Sequence, residues 1–285
     1  MHSTNHEEKM KRIVFTLTLL AMSASVSLQA EVNNYQRAIE AFNQENYAQA
    51  LKLMMEVVED DPANGYAWAY LAAIKHENKE LDEAHEAAEL ALELLPEDDA
   101  AFAAWTRNEL SSILAAQADT AGAIGQLSQC IQMMPADLDY RYRRAALEHS
   151  ANRLDEAERD YRYLAKHDSL NINGWIGLGC VLGAKGRPAE AVDAFNKTIV
   201  GEHTDYNSYA YRATEFFNMG LYEDAMDDVI HSLALKPQGN THAEWVMSHV
   251  VNVARETAIQ KLSDKRAADP EHRDYWNQLL LGITP

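Results

Sequence analysis

The sequence predicts an all-α solenoid of about seven stacked units, closed by a C-terminal helix. Three observations carry this reading. Alanines recur at a nearly constant step: Ala50, Ala84, Ala123, Ala157, Ala191, Ala225 and Ala258 are separated by 34, 39, 34, 34, 34 and 33 residues. A proline stands twelve residues after the alanine at Pro62, Pro96, Pro135, Pro237 and Pro270, and only Ser169 and His203 interrupt that series. Acidic residues sit just before the alanine in several units. Self-similarity at a fixed period of this size marks an array of repeated structural units.

Residues 1–30 precede the array. Lys9, Lys11 and Arg12 lead into an apolar run from Ile13 to Met22, followed by the small, polar segment SASVSLQA ending at Ala30. That order is a secretory signal peptide, with cleavage expected near Ala30 and a product in the periplasm or outside the cell. Met10 makes a better start than Met1, because Lys11 and Arg12 then stand at the front. The run is too short, and too rich in Ser and Thr, for a transmembrane helix. No cysteine near Ala30 offers a lipid anchor.

The units are expected near 31–64, 65–103, 104–137, 138–171, 172–205, 206–238 and 239–271, with a cap at 272–285. The first holds Ala38, Ala50 and Met54. The second holds Trp68, Leu71 and Ala72, then Asp82-Glu83 before Ala84. Five extra residues follow within EDDAAFAAWTRN and predict a longer helix or loop at 97–105. The third unit has Arg107, Leu110 and Ser111 where its neighbours carry an aromatic, a leucine and a small residue. The fourth has Ala145, Asp155-Glu156 and Tyr161. The fifth is the fullest: Trp175, Leu178, Gly179, Pro188, Glu190, Ala191 and Phe195. The sixth has Tyr209, Ala213 and Glu223-Asp224. After the seventh, Trp276, Leu279 and Leu280 repeat a first-helix pattern with no second helix before Pro285.

This pattern resembles the tetratricopeptide repeat (TPR) family, whose unit is a helix–turn–helix with a W-x2-L-G…A…F…P pattern. The resemblance spans residues 31–285 and implies a right-handed superhelix of helix pairs, A and B. Gly179, Ala38, Ala72, Ala145 and Ala213 then sit where helix A meets helix B, and a small side chain lets the axes approach. The recurrent alanines do the same from helix B, with Phe195, Tyr161 or Met54 filling the space beside them. The acidic residues fall in the first turn of helix B, where the helix dipole favours them. Pro188 suits a first helical position, and the recurrent prolines stop helix B.

Net charge is −19. Without residues 1–30 the chain keeps 42 acidic and 22 basic side chains, or −20. Phosphates would be repelled, which disfavours nucleic acid, and an anionic membrane surface is disfavoured equally. The charge serves solubility, or an acidic face for basic partners. Cys130 and Cys180 fall on different helices of units two apart and are expected as buried free thiols.

No catalytic, metal or cofactor motif stands out. HEAAE at 85–89 comes nearest to a zinc-protease motif, but its register makes it a solvated face of helix B. GLGCVLGAKG at 177–186 mimics a phosphate loop, yet Gly179 and Gly186 occupy ordinary repeat slots. DYRYRRAALEHS at 139–150 is the one basic and aromatic cluster. It reads as a helix A with Ala145 in the core and Tyr140 and Arg141 toward the neighbouring unit.

The resemblance implies a non-enzymatic, exported scaffold that holds another protein or peptide in a concave groove lined by the A helices. The residues on groove positions are Tyr35, Phe42, His76, Trp105, Asn108, Tyr142, His149, Asn173, Asn207, Phe217 and Asn218. Asn173 and Asn207 share one slot in adjacent repeats, and paired amides can hold a peptide backbone. The lysines with which some TPR proteins clamp a C-terminal carboxylate are missing. The alternative reading is a targeting module of a longer enzyme whose catalytic domain lies outside this chain.

Overall fold

The computed structural model describes residues 34–168, 170–199 and 205–284, and among them every regular element is an α-helix. The expected signal peptide and its cleavage site at Ala30 lie outside the described residues. The chain forms two compact units that divide after Asp137. The first contains α1 (34–43), α2 (Tyr47–Asp60), α3 (Gly65–Glu77), α4 (Leu81–Leu94), α5 (Ala100–Ala116) and α6 (Thr120–Met133). The second contains α7 (Leu138–Ser150), α8 (Leu154–His167), α9 (Ile172–Ala184), α10 (Pro188–Asn196), α11 (Tyr206–Asn218), α12 (Tyr222–Leu235), α13 (Thr241–Val253), α14 (Arg255–Ala268) and α15 (Arg273–Ile283).

Within each unit the helices pair along the chain, α3 on α4 and α5 on α6, then α7 on α8, α9 on α10 and α11 on α12. First helices also meet the next first helix, as α3 meets α5 and α9 meets α11. The architecture is therefore an all-α solenoid of helix pairs.

Local chemistry explains the starts and stops. Asn46, Asn64, Asp99, Asp119 and Asn171 cap α2, α3, α5, α6 and α9, each side chain accepting a backbone N–H from the first turn. Asp82-Glu83, Asp155-Glu156, Glu190 and Glu223-Asp224 lie in the first turns of α4, α8, α10 and α12. Pro62, Pro96, Pro135, Pro237 and Pro270 each stand two residues beyond a helix end. Between paired helices the chain turns through a residue with positive φ, at Glu45, Lys79, Ala118, Asn152, Gly186 and Gly220. The turn bonds back to the helix it leaves, as Asn46 N–H does to Ala41 C=O at 2.8 Å. Only two of these six positions are glycine, the residue that adopts such a φ without steric cost.

The core follows the small residues. The seven alanines from Ala50 to Ala258 are fully buried, as are Ala38, Ala72, Ala145 and Ala213. Met54, Tyr161 and Phe195 are buried beside them. A Cβ on Gly179 would lie 2.5 Å from the Phe195 ring, so α9 and α10 approach as closely as glycine allows. In the third pair the slot is Ser111, whose Oγ donates to the Ala123 carbonyl at 3.0 Å. That bond satisfies a hydroxyl in an apolar contact. Four of the five inserted residues lengthen α5 to 17 residues, against 13 in α3, α7, α9 and α11, and the fifth falls in the connection before it.

Two expectations need correction. Arg141 turns not to a neighbouring unit but to α8 of its own pair, donating to Asp160 at 2.8 Å and lying 3.9 Å from the Tyr163 ring centre. Asp160 is only 4% exposed and holds Arg144 as well, at 2.7 and 2.9 Å. A buried carboxylate requires such partners. Arg212 grips Asp228 of α12 in the same two-pronged way, at 2.7 Å on both oxygens. Of the two thiols, which are both free, Cys130 is buried but Cys180 only partly so.

Candidate functional site

The first unit gathers aromatic rings on α1, α3 and α5. Tyr70 of α3 is the centre, with Tyr35 at 6.0 Å, Phe42 at 6.3 Å, Phe102 at 5.9 Å and Trp105 at 5.2 Å between ring centres. Tyr66 packs edge-on against Phe102 at 4.8 Å, and Phe102 lies 5.1 Å from Trp105. All six are partly buried, so each keeps an edge in contact with solvent. Burial raises the pKa of the Tyr35 hydroxyl to about 12. Tyr66 donates to Asp99 at 2.9 Å, and that hydrogen bond raises its pKa.

His76 and Asn108 lie on α3 and α5, two of the helices that carry the rings. His76 Nδ1 lies 2.6 Å from a Glu109 carboxylate oxygen, joining α3 to α5. The Asn108 Oδ1 is a buried acceptor with no hydrogen-bond partner among the described residues. Of the groove residues chosen from sequence in this unit, Tyr35, Phe42 and Trp105 are joined through Tyr70. Tyr66, Tyr70 and Phe102 were not chosen. Tyr66 had a signal: it stands six residues before Ala72, as Trp105 stands six before Ser111. Phe102 had none, because it comes from the insertion and has no counterpart elsewhere.

The second unit disperses its chosen residues. Tyr142 packs edge-on against buried Tyr161 at 6.2 Å. His149 is half-buried, and that burial lowers its pKa. Asn173 is exposed on α9. Asn207 already donates to Asp205 at 3.4 Å, beside it in the chain. Phe217 is 5.9 Å from the His249 ring, which packs on Trp245 at 3.9 Å. Asn218 donates to Glu215 at 3.3 Å. Glu215 is buried against α9, and burial raises its pKa. No single constellation collects these six residues.

Burial raises the Cys130 thiol to about 11 and the Cys180 thiol to about 12, so neither is a thiolate at neutral pH. No group of three or more His, Cys, Asp or Glu among the described residues is placed to hold a metal ion. No described helix is long and apolar enough to cross a membrane. An open cleft of about 600 Å³ lies between α14 and α15, bordered by Ile259, Ser263, Arg266, Asn277 and Leu281. It holds none of the chosen residues.

The paired helices, the small residues at every crossing and the partly buried rings on first helices define a solenoid with the TPR fold. Solved structures share that fold. The C-terminal part of a TPR repeat-containing protein from Cytophaga hutchinsonii superposes with a TM-score of 0.68 at 14% identity, covering 85% of this chain and 98% of that one. A tetratricopeptide repeat protein from Parabacteroides merdae gives 0.65 at 16% identity, covering 90% and 99%. YrrB, described as a TPR protein with an unusual peptide-binding site, gives 0.54 at 14% identity, covering 67% and 97%. No protein-family model matches the sequence, and no curated protein matches it.

Proposed function

We propose that this chain is an exported, non-enzymatic scaffold that holds a segment of another protein on the faces of its first helices. The observation that carries this is the aromatic face of α1, α3 and α5. Partly open rings around Tyr70 offer large, rigid apolar contacts, the kind that dominate binding energy at interfaces. The fold it shares with YrrB, whose description names a peptide-binding site, supports the reading. In the second unit the corresponding contacts are Tyr142, His149, Asn173, Asn207, Phe217 and Asn218. The repeat boundaries given above belong to the same reading. So does α15 as a cap, with Trp276 and Leu280 buried in a cluster built from α11 to α15. Export rests on the basic, apolar and small-residue order of residues 9–30, and N-terminal sequencing should find Glu31 first.

The test of binding compares partners captured by three forms of the protein. Tyr142→Ala with Trp105→Ala should lose them. Glu86→Lys with Glu89→Lys, at exposed positions of α4, should keep them. The reverse pattern, in variants shown by circular dichroism to be folded, would move the binding surface to the acidic second helices.

A further inference from the structure

If the first-helix faces hold a partner segment, as proposed above, charge selects its chemistry in the first unit. Residues 34–137 contain 19 acidic and 5 basic side chains, whereas residues 138–285 contain 22 and 17. Of those five, Lys75 is held by Glu80 at 2.7 Å and Arg107 donates to Gln126 at 3.0 Å. The excess negative charge reaches the aromatic face at both ends. At one end Glu77 is the last residue of α3, and Glu45 lies in the turn from α1 to Tyr47, whose ring is 5.8 Å from that of Phe42. At the other, Asp98 adjoins Asp99, which accepts the Tyr66 hydroxyl at 2.9 Å, and Tyr66 packs against Phe102. Glu45, Glu77 and Asp98 are all exposed, and none of the three carboxylates has an ion-pair or hydrogen-bond partner among the described residues.

The two ends are joined by α3. From Tyr66 to Glu77 the helix rises about 16 Å, the reach of about five residues of extended chain. The rings between the ends offer apolar contact, and their π faces attract cations.

We propose that the face of α1, α3 and α5 binds an extended, basic segment of a partner protein. Two cationic side chains about five residues apart reach the carboxylates at opposite ends, and the residues between them lie on Tyr70 and Trp105. A neutral apolar segment would satisfy the rings alone and leave the carboxylates unused.

Fluorescence anisotropy with a labelled octapeptide, Ala-Arg-Ala-Leu-Leu-Ala-Arg-Ala, tests this on the chain from Glu31. Two further peptides serve as comparisons, one with citrulline for both arginines and one with the arginines two residues apart. The arginine peptide should bind about tenfold more tightly than either. Glu77→Gln with Asp98→Asn should weaken it about fivefold or more and flatten its salt dependence. Tyr70→Leu with Trp105→Leu, which keeps apolar bulk, should weaken it about tenfold. If all three peptides bind alike and only the ring variant weakens them, the face is a docking site but its basic selectivity is refuted. If the arginine peptide ignores the ring variant and responds only to Glu86→Gln with Glu89→Gln, both this proposal and the groove reading fall. Absence of binding by the arginine peptide overturns the proposal outright. Each variant is checked for helicity first.

Discussion

Replacing Gly179 by alanine should destabilise the protein, while the same replacement at Gly125 should stabilise it. Both glycines lie inside helices, α9 and α6, so each substitution gains roughly 0.5–1 kcal/mol from lower backbone entropy. At Gly125, which is exposed, nothing stands within 4 Å of the new Cβ, and that gain survives. At Gly179 the Cβ would lie 2.5, 2.6 and 2.9 Å from three atoms of the Phe195 ring. Phe195 is 1% exposed and sits in a cluster with Leu178, Val181, Leu182, Ala191 and Ala194. The ring can retreat only by displacing those neighbours. Overpacking of this kind costs about 1–3 kcal/mol, which exceeds the propensity gain and leaves a net loss. For a chain of this size each kcal/mol moves the thermal midpoint by about 2–4 °C. Thermal melts followed by circular dichroism should show the midpoint falling for Gly179→Ala and rising for Gly125→Ala. Adding Phe195→Leu to Gly179→Ala should recover stability through a coupling of about 0.5–3 kcal/mol. A rise in midpoint for Gly179→Ala, or additive effects in the double variant, would refute close approach as the reason for glycine.

Ala118, held at φ 65°, should gain roughly 1 kcal/mol on change to glycine, and Gly186→Ala at φ 70° should lose about as much; matched urea melts check both. Burial opposes ionisation of Glu158, but hydrogen bonds from Lys185, Arg162 and Arg187 prevail and lower its pKa to about 2. Because the folded value is the lower one, the stabilisation is complete above the ordinary value near 4.5 and fades as pH falls toward 2. The stability gap between wild type and Glu158→Gln should therefore be full at pH 7 and shrink across that window, measured by urea titration at stepped pH. A gap unchanged at pH 2 would show that charge is not its cause. Trp276→Ala should cost about 3–5 kcal/mol as a fully buried ring lost, and deletion of 271–285 should lower the midpoint or cause aggregation. A silent deletion would remove the capping role of α15.

Much of the fold was legible because the repeat forces the same physical problem to be solved at the same position each time. Where two helices cross closely the residue must be small, so Ala50 to Ala258 and Gly179 announce the crossings without any structural knowledge. The extra residues before the third unit were legible as length, though not as a longer helix bearing Phe102. Partners across helices were not legible. Arg141 looks like any helix-surface cation until Asp160, 19 residues on, proves to be buried and in need of it. The turn positions hide for a similar reason: Glu45, Lys79 and Ala118 are not residues that advertise a positive φ. The face around Tyr70 was half legible. Tyr35 and Trp105 fell on repeated slots, whereas Tyr70 lies one place beyond the Tyr35 slot and became central only through packing.

The central claim is that first-helix faces, rather than the acidic second helices, touch the partner. A photo-crosslinking side chain placed singly at Trp105, Tyr142 and Glu86 in otherwise intact protein tests it most directly, with crosslinks formed in living cells. Discrete crosslinked partner bands from Trp105 and Tyr142, with none from Glu86, are the predicted result. Strong crosslinks from Glu86, with Trp105 and Tyr142 silent, would contradict it.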